Sequence, residues 1–315
     1  MLSLHGLPLA LQLGVPLVLL GWLALGRNRS ISGSLVRGAV VLLYLAGIHL
    51  AGLWLLLPWY TAIIYAVTVV LLGLTQIHRL RQLPWRSPRI GWRPVATRSV
   101  VAVAATAAIA GAVQGRRPPS GTLVDLQFPL RRGVYHVVGA GSVELVNPHL
   151  MTLEEERFRT YRGQSHGVDL VKLGPLGLRA AGPLPTNLNA YAIYGEPVHA
   201  PCPGRVVQVQ DGMPDMPPPV PDRTRLAGNH VLLDCDGIHV LLAHLQPGSV
   251  RVAQGAQVEA GSVVGRVGNS GNSNEPHLHV HAQRPARTGQ EPLSGDPLPI
   301  QFDGRYLVRN DRVRR

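Results

Sequence analysis

Residues 38–77 contain no Asp, Glu, Lys or Arg and are mostly apolar. So long a run cannot cross a bilayer once as a helix, which rises about 1.5 Å per residue against a hydrocarbon core of about 30 Å. Pro58, Trp59 and Tyr60 divide it. Proline removes a backbone donor and aromatic rings favour the bilayer interface, so the economical reading is a helical hairpin that turns there. Two further apolar runs flank the hairpin, at 7–25 and about 99–115, the second shorter and built mostly of Ala and Val. The N-terminal part is therefore expected to be a membrane α-helical segment of about four transmembrane helices, at 7–25, 38–57, 59–77 and 99–115.

Arginines set the orientation. Arg27, Arg29 and Arg37 fall in the first connection, and Arg79, Arg81, Arg86, Arg89, Arg93 and Arg98 in the third, with none between. Basic loops tend to stay in the cytoplasm, so four crossings leave both termini outside. The alternative, with 99–115 a buried or surface helix, leaves the C-terminal domain inside. The first run lacks a basic lead and a small-residue cleavage site, so it reads as a permanent helix and not a cleavable signal. His49 lies within a span, where polar groups are costly. The chain has a net charge of +12 and a pI near 10.7, yet no acid precedes Asp125 and the early arginines sit between apolar runs. That placement argues for a membrane-embedded anchor and against nucleic acid as a partner. The spans hold no charged residue well inside them, which disfavours a transporter or channel.

From Gly121 onward, short runs rich in Val and Leu alternate with Gly, Pro, Asn and Asp, the texture of an all-β domain. Expected strands are 122–128, 133–138, 167–172, 204–210, 230–234, 239–244, 262–267 and 277–283. Five prolines in 213–222 keep that stretch out of any central strand, leaving a surface loop that is either a connector or a wall of a substrate cleft. Cys202 and Cys235 fit a disulfide in an external compartment, or two buried thiols. The segments around 196–207 and 257–267 also have the texture of biotinyl and lipoyl carrier domains. A carrier needs a lysine at a hairpin tip, and Lys172, the single lysine, lies elsewhere.

On a strand, His277, His279 and His281 present three imidazoles on one face. Imidazole is a good zinc ligand, and a catalytic zinc takes three protein ligands and leaves a fourth position for water. Upstream lie Ala243-His244-Leu245 and Val267-Gly268-Asn269-Ser270-Gly271. An A-H-L segment, a V-G-x-x-G turn and a P-H-L-H strand together resemble LytM/lysostaphin-type zinc metallopeptidases, across 195–283 and more loosely from about 123. The resemblance implies an all-β peptidase domain of the duplicated-hybrid-motif type, Zn2+ as cofactor, and a peptidoglycan peptide or other extracytoplasmic peptide as substrate. It makes His279 a metal ligand and places His277 and His244 in the cleft as catalytic residues, polarising water and stabilising the oxyanion. Zinc lowers the pKa of a coordinated water towards 7.

The family's H-x-x-x-D motif supplies the other two ligands. Asp169 matches, but four residues earlier stands Ser165, which is not a usual zinc ligand. Two replacements are open. His166 is adjacent but out of phase, unless Gly167 permits a bulge that turns it back. His149, in Asn147-Pro148-His149, either folds back to the vacant place or belongs only to a turn.

The layout read from the chain is a transmembrane anchor at 1–117, a lead-in β segment at 118–160, a LytM-type metallopeptidase-like domain at 161–300 and a basic tail at 301–315. The expected function is a multi-pass zinc metalloendopeptidase of the bacterial inner (cytoplasmic) membrane, its C-terminal domain periplasmic or extracytoplasmic, acting on cell-wall peptides. The alternative, motivated by Ser165, is a catalytically inactive LytM-like module that binds peptidoglycan or regulates a partner hydrolase.

Overall fold

The computed structural model describes residues 6–27, 29–86, 92–286 and 292–315. They fall into two compact units, Met1–Val113 and Gln114–Arg315.

The first unit is helical. Its helices are Leu7–Leu25, which includes a π turn at Ala10–Gly14, then Ile31–Ala51, Thr61–Leu80 and Trp92–Gly115. Three stretches are long and apolar enough to cross a membrane, Leu7–Leu25, Ile31–Ala51 and Val95–Gly115, while the apolar part of the remaining helix, Thr61–Ile77, is shorter. The second helix begins and ends earlier than the expected 38–57, because local hydrogen bonding and not hydropathy fixes its ends. Ser30 accepts the Gly33 N–H as an N-cap, and the extended Gly52 closes the far end on Ile48 O. Arg37 consequently lies inside the helix, buried, with its guanidinium 4.9 Å from the Trp22 ring. The chain then turns over residues 52–60 and not at Pro58 alone, with Trp54 buried and its indole N–H on His49 O. His49 is exposed in the last turn of its helix. Leu20, Leu23, Val41, Leu45, Tyr65 and Val69 pack inward, whereas Val18, Ile64, Val67, Val70 and Leu71 face out. An apolar exterior on a helical bundle is suited to lipid.

The second unit is built on strands. They are β1 Val124–Leu126, β2 Val134–Gly139, β3 Val168–Leu173, β4 Pro197–His199, β5 Gly204–Gln210, β6 Asn229–Cys235, β7 Ile238–Leu245, β8 Gln257–Val258, β9 Val263–Arg266, β10 Leu278–Gln283, β11 Pro297–Leu298, β12 Ile300–Phe302 and β13 Arg312–Arg314. All eight expected strands are among them. The other five are too short to show a period. A nine-stranded sheet runs β13-β2-β3-β10-β7-β6-β5-β8, with β11 on β10, and β4-β9 and β1-β12 form two small sheets. Side chains from all three sheets meet in one core, including Tyr135, Val137, Leu170, Leu233, Leu242 and Val280 from the large sheet, Val198 and Val264 from β4-β9, and Leu126 and Ile300 from β1-β12. Cys202 and Cys235 are joined in a disulfide beside β5 and β6.

Residues 301–315 are not a tail. β12 pairs in parallel with β1, and β13 pairs with β2, burying Val313 between exposed Arg312 and Arg314. The arginines gave the segment its basic look, while a single apolar residue between two charges was too short a pattern to announce a strand.

His136 on β2 is 1% exposed, and neither ring nitrogen has a hydrogen-bond partner. Burial pushes its pKa down to about 4, the Arg312 charge adding to the effect and Asp311 opposing it. Between pH 6.5 and 4 the unfolded chain therefore binds a proton that the folded chain does not, so stability falls as the pH drops through this window. The contribution of this one group is on the order of 3 kcal/mol. His136→Leu is expected to lose less stability between pH 7 and pH 4 than the parent, read as the pH slope of thermal melting of the full chain in detergent.

Candidate metal centre

Asp169 on β3 stands directly opposite His279 on β10 in an antiparallel register. Their chain neighbours Val168, Leu170, Leu278 and Val280 belong to the core, so both side chains emerge on the opposite face of the sheet. His279 Nδ1 lies 2.8 Å from Asp169 Oδ1. His149 approaches from a 3₁₀ turn, Pro148–Leu150, with Nε2 3.4 Å from Asp169 Oδ2. One ligand atom from each of His149, Asp169 and His279 lies within 4.8 Å of the others, the group among the described residues with the makings of a metal site.

Asn147 builds this arrangement. Its Oδ1 accepts both the backbone N–H of His149, at 3.1 Å, and the ring N–H at Nδ1, at 2.9 Å. Its amide donates to the carbonyls of Gly141, Ser165 and Gly167, tying the His149 turn to the strand that carries Asp169. Because an amide oxygen only accepts, His149 carries its proton on Nδ1 and presents the Nε2 lone pair to Asp169. Ser165 does not face the group. It is fully buried, its hydroxyl donating to Arg162 O at 2.6 Å and meeting Thr152 Oγ1 at 2.9 Å, and Thr152 in turn bonds His149 O. His166 is not brought into the group, and Gly167 makes no bulge to turn it. The lack of a side chain at Gly167 serves His279 instead, since a Cβ there would stand 2.6 Å from His279 Cε1.

His277 and His244 line the same face. His277 Nε2 is 3.7 Å from Asp169 Oδ1, and its Nδ1 is held by Glu275 O at 2.9 Å, with Ser273 Oγ at 3.1 Å. The His244 ring is 4.7 Å from that of His277 and 5.9 Å from that of His279. Strict alternation along β7 would send His244 into the core with Val240 and Leu242. Pairing with β6 skips this residue, and its φ of 63° marks a bulge that turns the ring to the cleft side. The ring then donates from Nδ1 to Ser270 O at 2.9 Å.

Charge suits a cation. Burial alone would raise the Asp169 carboxyl, but the surrounding His149, His277 and His279 hold it well below the usual carboxylate range. Burial, against the opposing pull of Asp169, pushes His149 down to about 4, and burial with the neighbouring His277 holds His244 well below 6.5. Two imidazoles and one carboxylate are a donor set and count that fit zinc.

Two braces escaped sequence reasoning. Arg179 and Glu275, 3% and 9% exposed, form a bidentate pair, Nε to Oε1 at 2.8 Å and Nη2 to Oε2 at 2.8 Å, that fixes the turn before His277. The proline-rich loop is pinned to the V-G-x-x-G turn, with Asp215 accepting from Asn269 N and Tyr194 OH, and Met216 exchanging two bonds with Asn269. The loop thus braces the turn whose Ser270 carbonyl holds His244.

Residues 187–292 match the model of Peptidase family M23. The chain therefore carries a LytM/lysostaphin-type M23 domain. Similar solved structures include a catalytic-domain variant of the prophage-encoded M23 protein EnpA from Enterococcus faecalis, 25% identical, covering 39% of this chain and 71% of that one with a TM-score of 0.27. The catalytic domain of the antimicrobial peptidase lysostaphin from Staphylococcus simulans is 21% identical, covering 42% and 73%, with a TM-score of 0.27. A zinc-containing peptidase from Vibrio cholerae is 17% identical, covering 55% and 40%, with a TM-score of 0.31. No curated protein matches the chain.

Removing the amide that orients His149 is expected to loosen the group without unfolding the sheet. Asn147→Ala should weaken zinc binding about 10–100-fold, the usual range for groups that orient a ligand. Competition against a chromophoric chelator measures it, and unchanged affinity would contradict the role given to Asn147.

Proposed function

We propose that the M23 domain is a zinc-dependent endopeptidase, anchored by the N-terminal helices in the bacterial inner membrane and acting outside the cytoplasm on peptidoglycan peptides. The observation that carries the reading is His149, whose Nε2 stands beside Asp169 and His279 where Ser165 leaves a ligand wanting. His149, Asp169 and His279 would hold the metal, which supplies Lewis acidity and acidifies a coordinated water. His244 donates from Nδ1 to a backbone carbonyl, and the Nδ1 of His277 is likewise turned to one, so in the neutral rings Nε2 carries the lone pair. Either ring can accept a proton from the attacking water. The imidazolium so formed is a donor, able to stabilise the developing oxyanion and to pass its proton to the leaving amine. The disulfide between Cys202 and Cys235 supports an oxidising, extracytoplasmic setting for the domain. So do the arginines of the first and third connections, which favour the cytoplasmic side in a four-span arrangement.

The alternative, an inactive module that binds peptidoglycan or regulates a partner hydrolase, rests on Ser165. The two are separated by metal analysis and peptide hydrolysis with the full chain in detergent. The proposal expects near-stoichiometric zinc that His279→Ala and His149→Ala abolish and His166→Ala keeps, with hydrolysis lost alongside. A parent chain free of zinc and inactive on peptidoglycan peptides favours the module. A C-terminal reporter fusion active in the cytoplasm would overturn the topology.

A further inference from the structure

His281 is the third imidazole of β10, and neither metal holding nor proton transfer uses it. It shares the cleft-side face with His279 but has 0% exposure, so it cannot touch a substrate. Its Nδ1 lies 3.0 Å from His279 Nε2, with the ring centroids 5.2 Å apart. Gln283, next on the same face, roofs it over. The Gln283 amide donates to Pro292 O at 2.7 Å and its oxygen accepts from Gly295 N at 3.1 Å, pinning that segment across the strand. His281 Nε2 has no hydrogen-bond partner, and the Gln283 side chain and His230 are polar neighbours of the ring besides His279 and His149. A leucine would fill such a place with no polar atom to satisfy, so an imidazole there calls for a reason.

We propose that His281 is a positioning residue for the metal centre, an imidazole that serves His279 Nε2 either as donor or as acceptor and so holds the His279 ring in one orientation with and without a metal. The inference rests on the zinc-peptidase reading. Asp169 can only accept, so in the metal-free neutral ring His279 keeps its proton on Nδ1, and its Nε2 needs a donor. His281 Nδ1–H supplies it. Were His279 to ligate through Nδ1, its proton would reside on Nε2 and need an acceptor, which His281 Nδ1 would provide once the His281 proton had moved to Nε2. Each ring stays neutral throughout, and one proton changes nitrogen on each. A carboxylate at 281 would meet only the second requirement.

The test uses the full chain in detergent micelles, labelled with 15N-histidine, with ring tautomers read at pH 8 from long-range proton–nitrogen correlations. In the metal-free chain His279 and His281 are both expected as Nδ1–H tautomers, and zinc should convert both to Nε2–H. His281 found as Nε2–H without metal overturns the proposal, whether or not the chain binds zinc. Failure of the zinc reading looks different, since both rings would then be Nδ1–H and indifferent to added zinc. Two variants give a second readout. His281→Gln keeps a donor and an acceptor and should retain most of the zinc affinity, whereas His281→Leu keeps the volume and should lose about 10–100-fold. Melting of the metal-free variants reports on the fold separately, and a folded Leu variant with the parent's affinity sinks the idea.

Discussion

Pairing between β3 and β10 places an acid and an imidazole opposite one another across two hydrogen-bonded strands. In that register Asp169 and His279 meet without any loop having to deliver them, and the core residues on either side of each fix which face they occupy. A one-residue slip of either strand would turn its own site residue, Asp169 or His279, into the core and bring a core leucine to the cleft face. The register is therefore held by the hydrophobic core, and the geometry of the metal group is a by-product of burying Val168, Leu170, Leu278 and Val280.

The other members are brought to this pair by departures from regular structure. His149 arrives on a short turn tied down by Asn147, and His244 by a bulge that breaks the alternation of β7. Both devices have a thermodynamic cost, a left-handed φ at His244 and a buried amide at Asn147. Hydrogen bonds offset it, Ser270 O taking the His244 ring and three carbonyls taking the Asn147 amide. Regular strands thus supply the rigid half of the site, and irregular segments aim the rest.

Much of this was legible in the sequence because period two and Gly/Pro punctuation are local signals. They located the strands that carry Asp169, His244 and His279, and the composition of the first hundred residues announced apolar helices. What was not legible is contact between distant segments. Nothing near His149 indicates that Asn147 reaches the carbonyl of Ser165, so His149 and His166 stayed level as candidates until tertiary structure separated them. The bulge at His244 has no glycine to signal it, and Arg179 finds Glu275 only through folding across nearly a hundred residues of chain. Helix ends were misplaced for a related reason, since Ser30 starts and Gly52 stops the helix by hydrogen bonding, whereas the uncharged apolar run begins only after Arg37 and continues past Gly52.

The origin of His149 has a bearing on how the domain can be subdivided. The portion that carries the family signature, 187–292, contains His279, His244 and His277 but neither Asp169 nor His149. Even a piece begun at 161 keeps Asp169 and forfeits His149, together with β2, the strand to which β13 is paired. A fragment that keeps His149, Asp169 and His279 together is therefore larger than the signature, and the β1-β12 and β13-β2 pairings tie both flanks to it. Inheritance of the site in any rearranged gene would require both flanks to travel with the centre.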